Sequence, residues 1–173
     1  VRYAFTEIMN NAIEHSHSIY CDVEGILEPY SCRFIIRDYG IGVFFSICQT
    51  FNLEDENNAV LELLKGKKTT MEKRHSGEGI FFTSKSGDHV AFRSHKIQIL
   101  FENTAGDVFL KTLKFRKGTE VIFDISRRSR RLINEIFNKY APEKYDYKFE
   151  KTRVYVKLIQ KELVSRSEAK RLL

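Results

Sequence analysis

The sequence SCRFIIRDYGIG at residues 31–42 joins a predicted β-strand to a glycine-containing loop. The apolar run at 34–36 predicts the strand, which we expect to end at Asp38. Gly40 and Gly42 then allow the backbone to approach a ligand closely or to adopt a positive φ. A carboxylate at a strand end can accept a hydrogen bond from an exocyclic amine, although the same pattern also forms ordinary turns.

Hydrophobic periodicity predicts a helix before this strand and both helices and strands after it. The predicted helices cover residues 2–16, 44–51, 54–64, 80–86, 130–140 and a final segment from 165, and the predicted strands cover residues 18–26, 31–38, 89–94, 96–102, 108–115, 120–125 and 153–159. The polar, basic residues 65–76 predict an exposed, mobile loop. This order of elements favours an α+β sandwich.

Composition restricts the class of protein. The 173 residues, 42% of them hydrophobic, fit one globular domain, or one domain with a small appendage. Cys21, Cys32 and Cys48 lack C-x-x-C spacing, so we expect buried thiols in a reducing cytoplasm rather than disulfides or a zinc site. No run approaches the roughly 18 apolar residues of a membrane helix. Without an initiator Met or a signal peptide pattern, we expect a cytoplasmic piece of a longer protein.

The net charge of +6 is unevenly distributed. Residues 126–173 contain 14 basic and 6 acidic residues, a net charge of +8, whereas residues 1–125 contain 15 and 17, a net charge of −2. This shift predicts a domain boundary near Ser126. The arginines at 127–131 could contact nucleic acid through phosphates. Apolar positions interleaved with the following basic residues favour a packed amphipathic helix instead, so we expect no nucleic-acid partner for this fragment.

Three further motifs have both a chemical and an ordinary structural explanation. Glu7 and Asn11 are four residues apart and share a helix face, as on many solvated helices. The sequence Gly-Glu-Gly at 77–79 precedes a predicted helix, where free N–H groups bind phosphate, but it would also suit a hinge. The Gly-Thr pair at 118–119 enters a strand, as an ordinary turn does.

Taken in order, the four motifs resemble those of the GHKL superfamily, which includes DNA gyrase, heat-shock chaperones, histidine kinases and mismatch-repair ATPases. Residues 7–13 resemble its N box, 38–42 its G1 box, 77–81 its G2 box and 118–119 its last motif, so the resemblance spans residues 3–125. It implies a two-layer sandwich in which a mixed β-sheet packs on helices, the histidine kinase-like ATPase fold, with ATP between the helices and a loop.

The resemblance also implies roles for individual residues. Asp38 would bind the adenine amine, Asn11 would coordinate Mg²⁺ through its amide oxygen, and Thr119 would reach the adenine region. Glu7 would be the catalytic base, taking a proton from water or from a Ser hydroxyl. The implied nucleotide-binding residues are Asn11, Asp38, Gly40, Ile41, Gly42, Val43, Gly77, Gly79, Ile80, Phe81 and Thr119.

Two longer stretches refine the resemblance. Residues 11–15, Asn-Ala-Ile-Glu-His, resemble the bacterial anti-sigma-factor serine kinases, and residues 75–83 and 163–172 resemble bacterial ATP-binding proteins in which a STAS-like domain follows the ATPase. Residues 126–173 would then be a junction and the start of that domain.

The resemblance implies an ATPase or serine/threonine protein kinase with a bacterial regulatory role. It would bind ATP and Mg²⁺ and transfer a phosphoryl group to a protein or to water. The expected partner is another protein or an intramolecular STAS-like domain, and homodimerisation stays open. The alternative is a non-catalytic, ATP-responsive switch or binding module acting on a partner protein or nucleic acid.

Overall fold

The computed structural model describes residues 1–65 and 78–140. Five of the sequence predictions fall wholly or partly outside this range. They are the basic loop beyond Lys65, the phosphate-binding role of Gly77, the strand at 153–159, the final helix from 165 and the STAS-like domain.

The described residues form an α+β protein, as the order of predicted elements indicated. In chain order the elements are α1 (Arg2–Asn10), a π-helical segment (Asn11–His15), β1 (Cys21–Leu27), β2 (Ser31–Asp38), α2 (Val43–Phe51), α3 (Glu56–Lys65), α4 (Glu78–Ser86), β3 (His89–Ser94), β4 (Ile97–Glu102), β5 (Asp107–Thr112), β6 (Thr119–Ser126) and α5 (Ile133–Tyr140). Most bounds lie within three residues of the prediction. The first helix differs in kind, because its last turn is π-helical rather than α-helical.

The six strands form one sheet in the order β1-β2-β6-β3-β4-β5. Every neighbouring pair is antiparallel, so the expected mixed sheet is wrong. The reason is the position of β6. It lies between β2 and β3, which run in the same direction, and it runs opposite to both. β2 and β3, which would form a parallel pair if they were neighbours, are thereby separated.

The main core lies between one face of this sheet and helices α1 to α4. Alternate strand residues face the helices, because successive side chains of a strand point to opposite faces. At the centre, Phe34 of β2 stacks on Phe123 of β6 with ring centroids 4.8 Å apart, and Phe5 of α1 meets Phe34 edge-on. The same alternation turns Asp38, the last residue of β2, towards the helices.

The opposite face of the sheet carries ion pairs. Glu120 on β6 is buried and contacts three guanidinium groups, those of Arg37, Arg93 and Arg116. Burial opposes ionisation of Glu120, but the arginines outweigh it and hold its pKa below the usual value. Charged residues therefore interrupt the apolar pattern of the strands without entering the core.

A smaller apolar cluster attaches α5 to α4. The ring of Phe137 packs edge-on against the rings of Phe82 and of Tyr3 on α1, with centroid distances of 4.5 Å and 5.3 Å. Arg131, just before α5, donates from Nε to Asp88 Oδ1 at 2.9 Å. The first elements after Ser126 thus contact the body of the domain.

The described cysteines are all free, and only Cys48 is buried, while Cys21 and Cys32 are half-buried. The expected burial of the thiols holds for Cys48 alone. None of the helices in residues 1–65 and 78–140 combines the length and apolar content needed to cross a membrane.

Candidate functional site

A cleft opens between the helical layer and one end of the central strands. Counted with its open mouth, it has an empty volume of about 580 Å³. Its lining is largely apolar, with polar side chains from the π-helical segment and its C-cap, β2, α2 and β6. It consists of Ile8, Asn11, Ala12, His15, Ser16, Ile36, Asp38, Gly42, Val43, Ser46, Ile47, Ile80, Phe92, Thr119 and Val121. An apolar cleft with a few fixed polar groups is the usual form of a small-molecule site.

Asp38 is the buried acidic group of this cleft, with only 7% of its surface exposed. Its Oδ1 accepts hydrogen bonds from the backbone N–H of Gly40 at 3.0 Å and of Thr119 at 3.1 Å. Burial raises the pKa of the carboxyl above its ordinary value, and the hydrogen bonds offset this only in part. The carboxylate is therefore fixed in direction and costly to leave without a partner when ionised.

Thr119 ties three elements together at the floor of the cleft. Its hydroxyl accepts a hydrogen bond from the backbone N–H of Val43, the first residue of α2, at 2.9 Å. The preceding residue, Gly118, has a φ of +78°. A Cβ atom there would overlap the carbonyl oxygen of Asp38, so glycine allows β6 to begin directly against the end of β2.

The loop after Asp38 depends on both of its glycines. A Cβ atom at Gly40 would overlap the backbone carbonyl of Ser16, whose oxygen accepts a hydrogen bond from Ile41 N at 2.8 Å. Gly42 has a φ of +86°, and a Cβ atom there would lie 2.5 Å from Ser94 Oγ. Gly42 has the positive φ that the sequence allowed for, whereas the close approach at Gly40 is to the backbone of Ser16, which brings the loop against the π-helical segment.

The π-helical segment forms the opposite wall. Its lining residues Asn11 and His15 continue the face that begins at Ile8 on α1. Ser16 ends the segment, donating from Oγ to Ala12 O at 2.6 Å and accepting from Ser18 N at 2.9 Å. π-helical turns are uncommon and often occur at functional sites.

Six of the predicted site residues line the cleft together: Asn11, Asp38, Gly42, Val43, Ile80 and Thr119. Five others that the structure describes do not line it: Glu7, Gly40, Ile41, Gly79 and Phe81. Gly77 lies outside the described residues. Gly40 and Ile41 instead shape the loop by packing on Ser16.

Phe81 faces away from the cleft because it follows Ile80 on a helix. Successive helical residues are about 100° apart, so the two side chains of α4 diverge. Ile80 lies in the cleft, while Phe81 joins the smaller cluster, where its ring meets Tyr140 at 5.4 Å. The Lys85 ammonium lies 5.8 Å from the centroid of the Phe81 ring.

Glu7 lies against the beginning of α4. Its side chain is half-buried, and a Cβ atom at Gly79 would overlap its Oε2 atom. Glycine at 79 therefore allows the carboxylate to approach the first turn of α4. A negative charge is favourable there because of the free N–H groups and the helix dipole.

Sequence reasoning missed most of the apolar lining. Ile36 and Val121 could have been found, because each lies two positions from a predicted site residue and so shares its sheet face, Ile36 with Asp38 and Val121 with Thr119. Ser16 and Ser46 carry no local signal, since only the fold brings them to the cleft.

The donor set of the cleft limits which metal it could hold. Among residues 1–65 and 78–140, no group of three or more His, Cys, Asp or Glu side chains could bind a metal ion. Asn11 offers one neutral amide oxygen, which suits a hard cation that retains water and bridges phosphates.

The sequence was compared with protein-family models and with curated proteins, and neither comparison finds a match.

Proposed function

We propose that this chain binds ATP in the cleft, as a member of the GHKL superfamily with a histidine kinase-like ATPase fold. Buried Asp38 carries the proposal. Its Oδ1 accepts from two backbone donors, and the Thr119 side chain also hydrogen-bonds to the carboxyl. Oδ2, which neither backbone donor uses, is the oxygen by which it would accept from a ligand. Adenine presents an exocyclic amine donor, whereas guanine presents a carbonyl acceptor at the corresponding position. The site would therefore discriminate between the two purines.

The apolar lining supports a flat base as the ligand. Ile36, Ile47 and Val121 belong to the walls of the same cleft as Asp38. A base held between such side chains gains from the burial of its faces, and its polar edge requires a partner of the right kind. Asp38 and Thr119 supply that partner at one end of the cleft.

Phosphates would extend towards the π-helical segment and the start of α4. Asn11 lines this side of the cleft, and its amide oxygen would be the protein ligand of Mg²⁺. The remaining ligands would be phosphate oxygens and water, in keeping with the coordination that Mg²⁺ prefers. When bound, the ion would neutralise phosphate charge.

Two activities are compatible with such binding. In the first, Glu7 accepts a proton from water or from a Ser/Thr hydroxyl of a partner protein, and the phosphoryl group is transferred in a bacterial regulatory process. In the second, the chain is an ATP-responsive switch without turnover. One observation favours the second: Glu7 packs against Gly79 and does not line the cleft.

Calorimetric titration of the full chain with ATP and GTP, with and without Mg²⁺, tests the binding. We expect saturable, Mg²⁺-dependent binding of ATP at least about tenfold tighter than that of GTP, since a lost buried hydrogen bond costs about 1–3 kcal/mol. Asp38→Asn keeps an oxygen for the two backbone donors but replaces the other oxygen with an NH₂ donor, so it should abolish this preference. Asp107→Asn, on exposed β5, is the matched control.

Equal affinity of folded wild type and Asp38→Asn for ATP would overturn the adenine assignment. Glu7→Gln then separates the two activities. If Glu7 is the base, phosphoryl transfer should fall by roughly 10²–10⁴-fold while ATP affinity is retained. If neither the wild type nor the variant turns over ATP in the presence of a partner protein, the ATP-responsive switch without turnover is the function.

A further inference from the structure

The edge strand β5 is unusually apolar for a strand exposed on both faces. All six of its residues are exposed, including Val108 at 41%, Phe109 at 46% and Leu110 at 57%. Among the strands of residues 1–65 and 78–140, its only sheet neighbour is β4. An exposed apolar edge offers unpaired backbone groups to another strand.

The hydrogen-bond pattern shows which backbone groups of β5 point outward. Leu113 N donates to Lys96 O at 2.7 Å, which identifies 96 and 113 as a hydrogen-bonded pair. Hydrogen-bonded pairs recur at every second residue of an antiparallel ladder, and the register pairs Leu100 with Phe109. Odd-numbered residues of β5 therefore bond to β4. Val108, Leu110 and Thr112 direct their N–H and C=O groups to the open edge.

We propose that β5 pairs with β5 of a second copy of this chain. Antiparallel pairing about Phe109 puts Asp107 opposite Lys111 of the second copy, Val108 opposite Leu110, and Phe109 opposite itself. Opposite charges thus meet at both ends, and apolar side chains meet between them. The twofold interface joins two six-stranded sheets into one continuous antiparallel sheet.

The register is determined by two constraints. Val108 and Leu110 have outward backbone groups, so they must form the hydrogen-bonded pairs between the two copies. A shift of one residue would break these pairs and would also put side chains of one strand on the opposite face from their partners. A shift of two residues puts Asp107 or Lys111 opposite Phe109 and leaves that charge without its counterpart. Only the register centred on Phe109 satisfies both constraints.

Charge reversal tests the register in the full chain. Sedimentation velocity over a range of protein concentrations should show a monomer–dimer equilibrium. Asp107→Lys and Lys111→Glu should each raise the dissociation constant on the order of tenfold, because like charges then face each other twice in the dimer. The double variant restores both pairs and should restore the wild-type dissociation constant.

The reversals should leave the monomer folded. In β4, Glu102 lies opposite Asp107, and Gln98 lies opposite Lys111, so neither substitution creates a new like-charge pair there. Lys114→Glu, outside β5, is the control for net charge and should dimerise as wild type does. Circular dichroism of each variant checks the fold.

Proline at 110 tests the backbone contribution. Leu110 N points away from β4, so Leu110→Pro should abolish the dimer while the β4–β5 ladder persists. A wild-type chain that stays monomeric up to millimolar concentration, including one whose own segment covers β5, would overturn the proposal. So would a dimer that neither charge reversal weakens, or one that the double variant fails to restore.

Discussion

At the scale of single residues, the fold keeps an ionisable carboxyl where water cannot fully solvate it. Because burial raises the pKa of Asp38 in the folded protein, the folded state binds its proton more tightly than the unfolded state does. The contribution of Asp38 to the stability of the fold is therefore greatest below its ordinary pKa of 3.8. It is lost as the pH rises through the raised pKa of the folded state.

The pH dependence of stability checks this sign. We expect Asp38→Asn to gain stability relative to wild type as the pH rises from about 3.8 through the raised pKa, because the variant has no charge to bury. Urea unfolding of both proteins at a series of pH values gives the difference directly. A difference that does not change with pH would contradict the raised pKa.

Gly40 and Gly25 should respond differently to substitution by alanine. Gly40→Ala brings a Cβ atom into the backbone of Ser16 and should cost about 3 kcal/mol, the upper range for overpacking. Gly25 on β1 has no atom within 4 Å of a Cβ position. Gly25→Ala should leave the free energy of unfolding unchanged or raise it by up to about 1 kcal/mol. Chemical denaturation measures both, and equal losses would contradict the packing argument.

At the scale of elements, Phe137 is the buried side chain by which α5 packs on the domain. Phe137 is 5% exposed and packs against Phe82 and Tyr3. Phe137→Ala should reduce the free energy of unfolding by about 3–5 kcal/mol. Leu132, just before α5, is 58% exposed, and Leu132→Ala should change stability by less than about 0.5 kcal/mol. If the two variants are equally stable, α5 does not contribute to the folded domain.

The elements that sequence predicted well are those with a strong local signal. Phe34 to Ile36 followed by Asp38 and two glycines indicates a strand end and a possible positive φ, and the structure has both, at Asp38 and at Gly42. The π-helical segment gives no such signal, because over five residues its side-chain pattern differs little from that of an α-helix. The pairing of β2 with β6 joins residues more than 80 positions apart, so the antiparallel sheet could not be predicted locally.

The residues of the candidate site also differ in how well the sequence predicted them. Asp38, Gly42 and Thr119 occupy strand ends and turns, where their residue types already indicate their role. Helical residues were harder to assign, since facing a cleft depends on how a helix is rotated against its neighbours. That rotation turns Ile80 towards the cleft and Phe81 away from it.

At the scale of the whole molecule, stability should fall from the centre of the sheet to its edges. β6 and β3 are largely buried, whereas β1 is exposed along most of its length. We expect amides of β6 to exchange hydrogen only through global unfolding, and outward-pointing amides of β1 to exchange through local opening at much lower free energy. Native-state hydrogen exchange at increasing denaturant measures both. Uniform protection across the sheet would contradict this gradient.

The central strand is also the last of the six to be synthesised. While the chain is being made, β1 can pair with β2, β3 with β4, and β4 with β5. The two groups have no shared strand until residues 119–126 leave the ribosome. Closing the loops that bring β6 to its neighbours costs entropy before any contact repays it, which slows folding. Until then the apolar faces of both groups stay open, so nascent chains should be early clients of chaperones and prone to aggregation if synthesis stalls before β6.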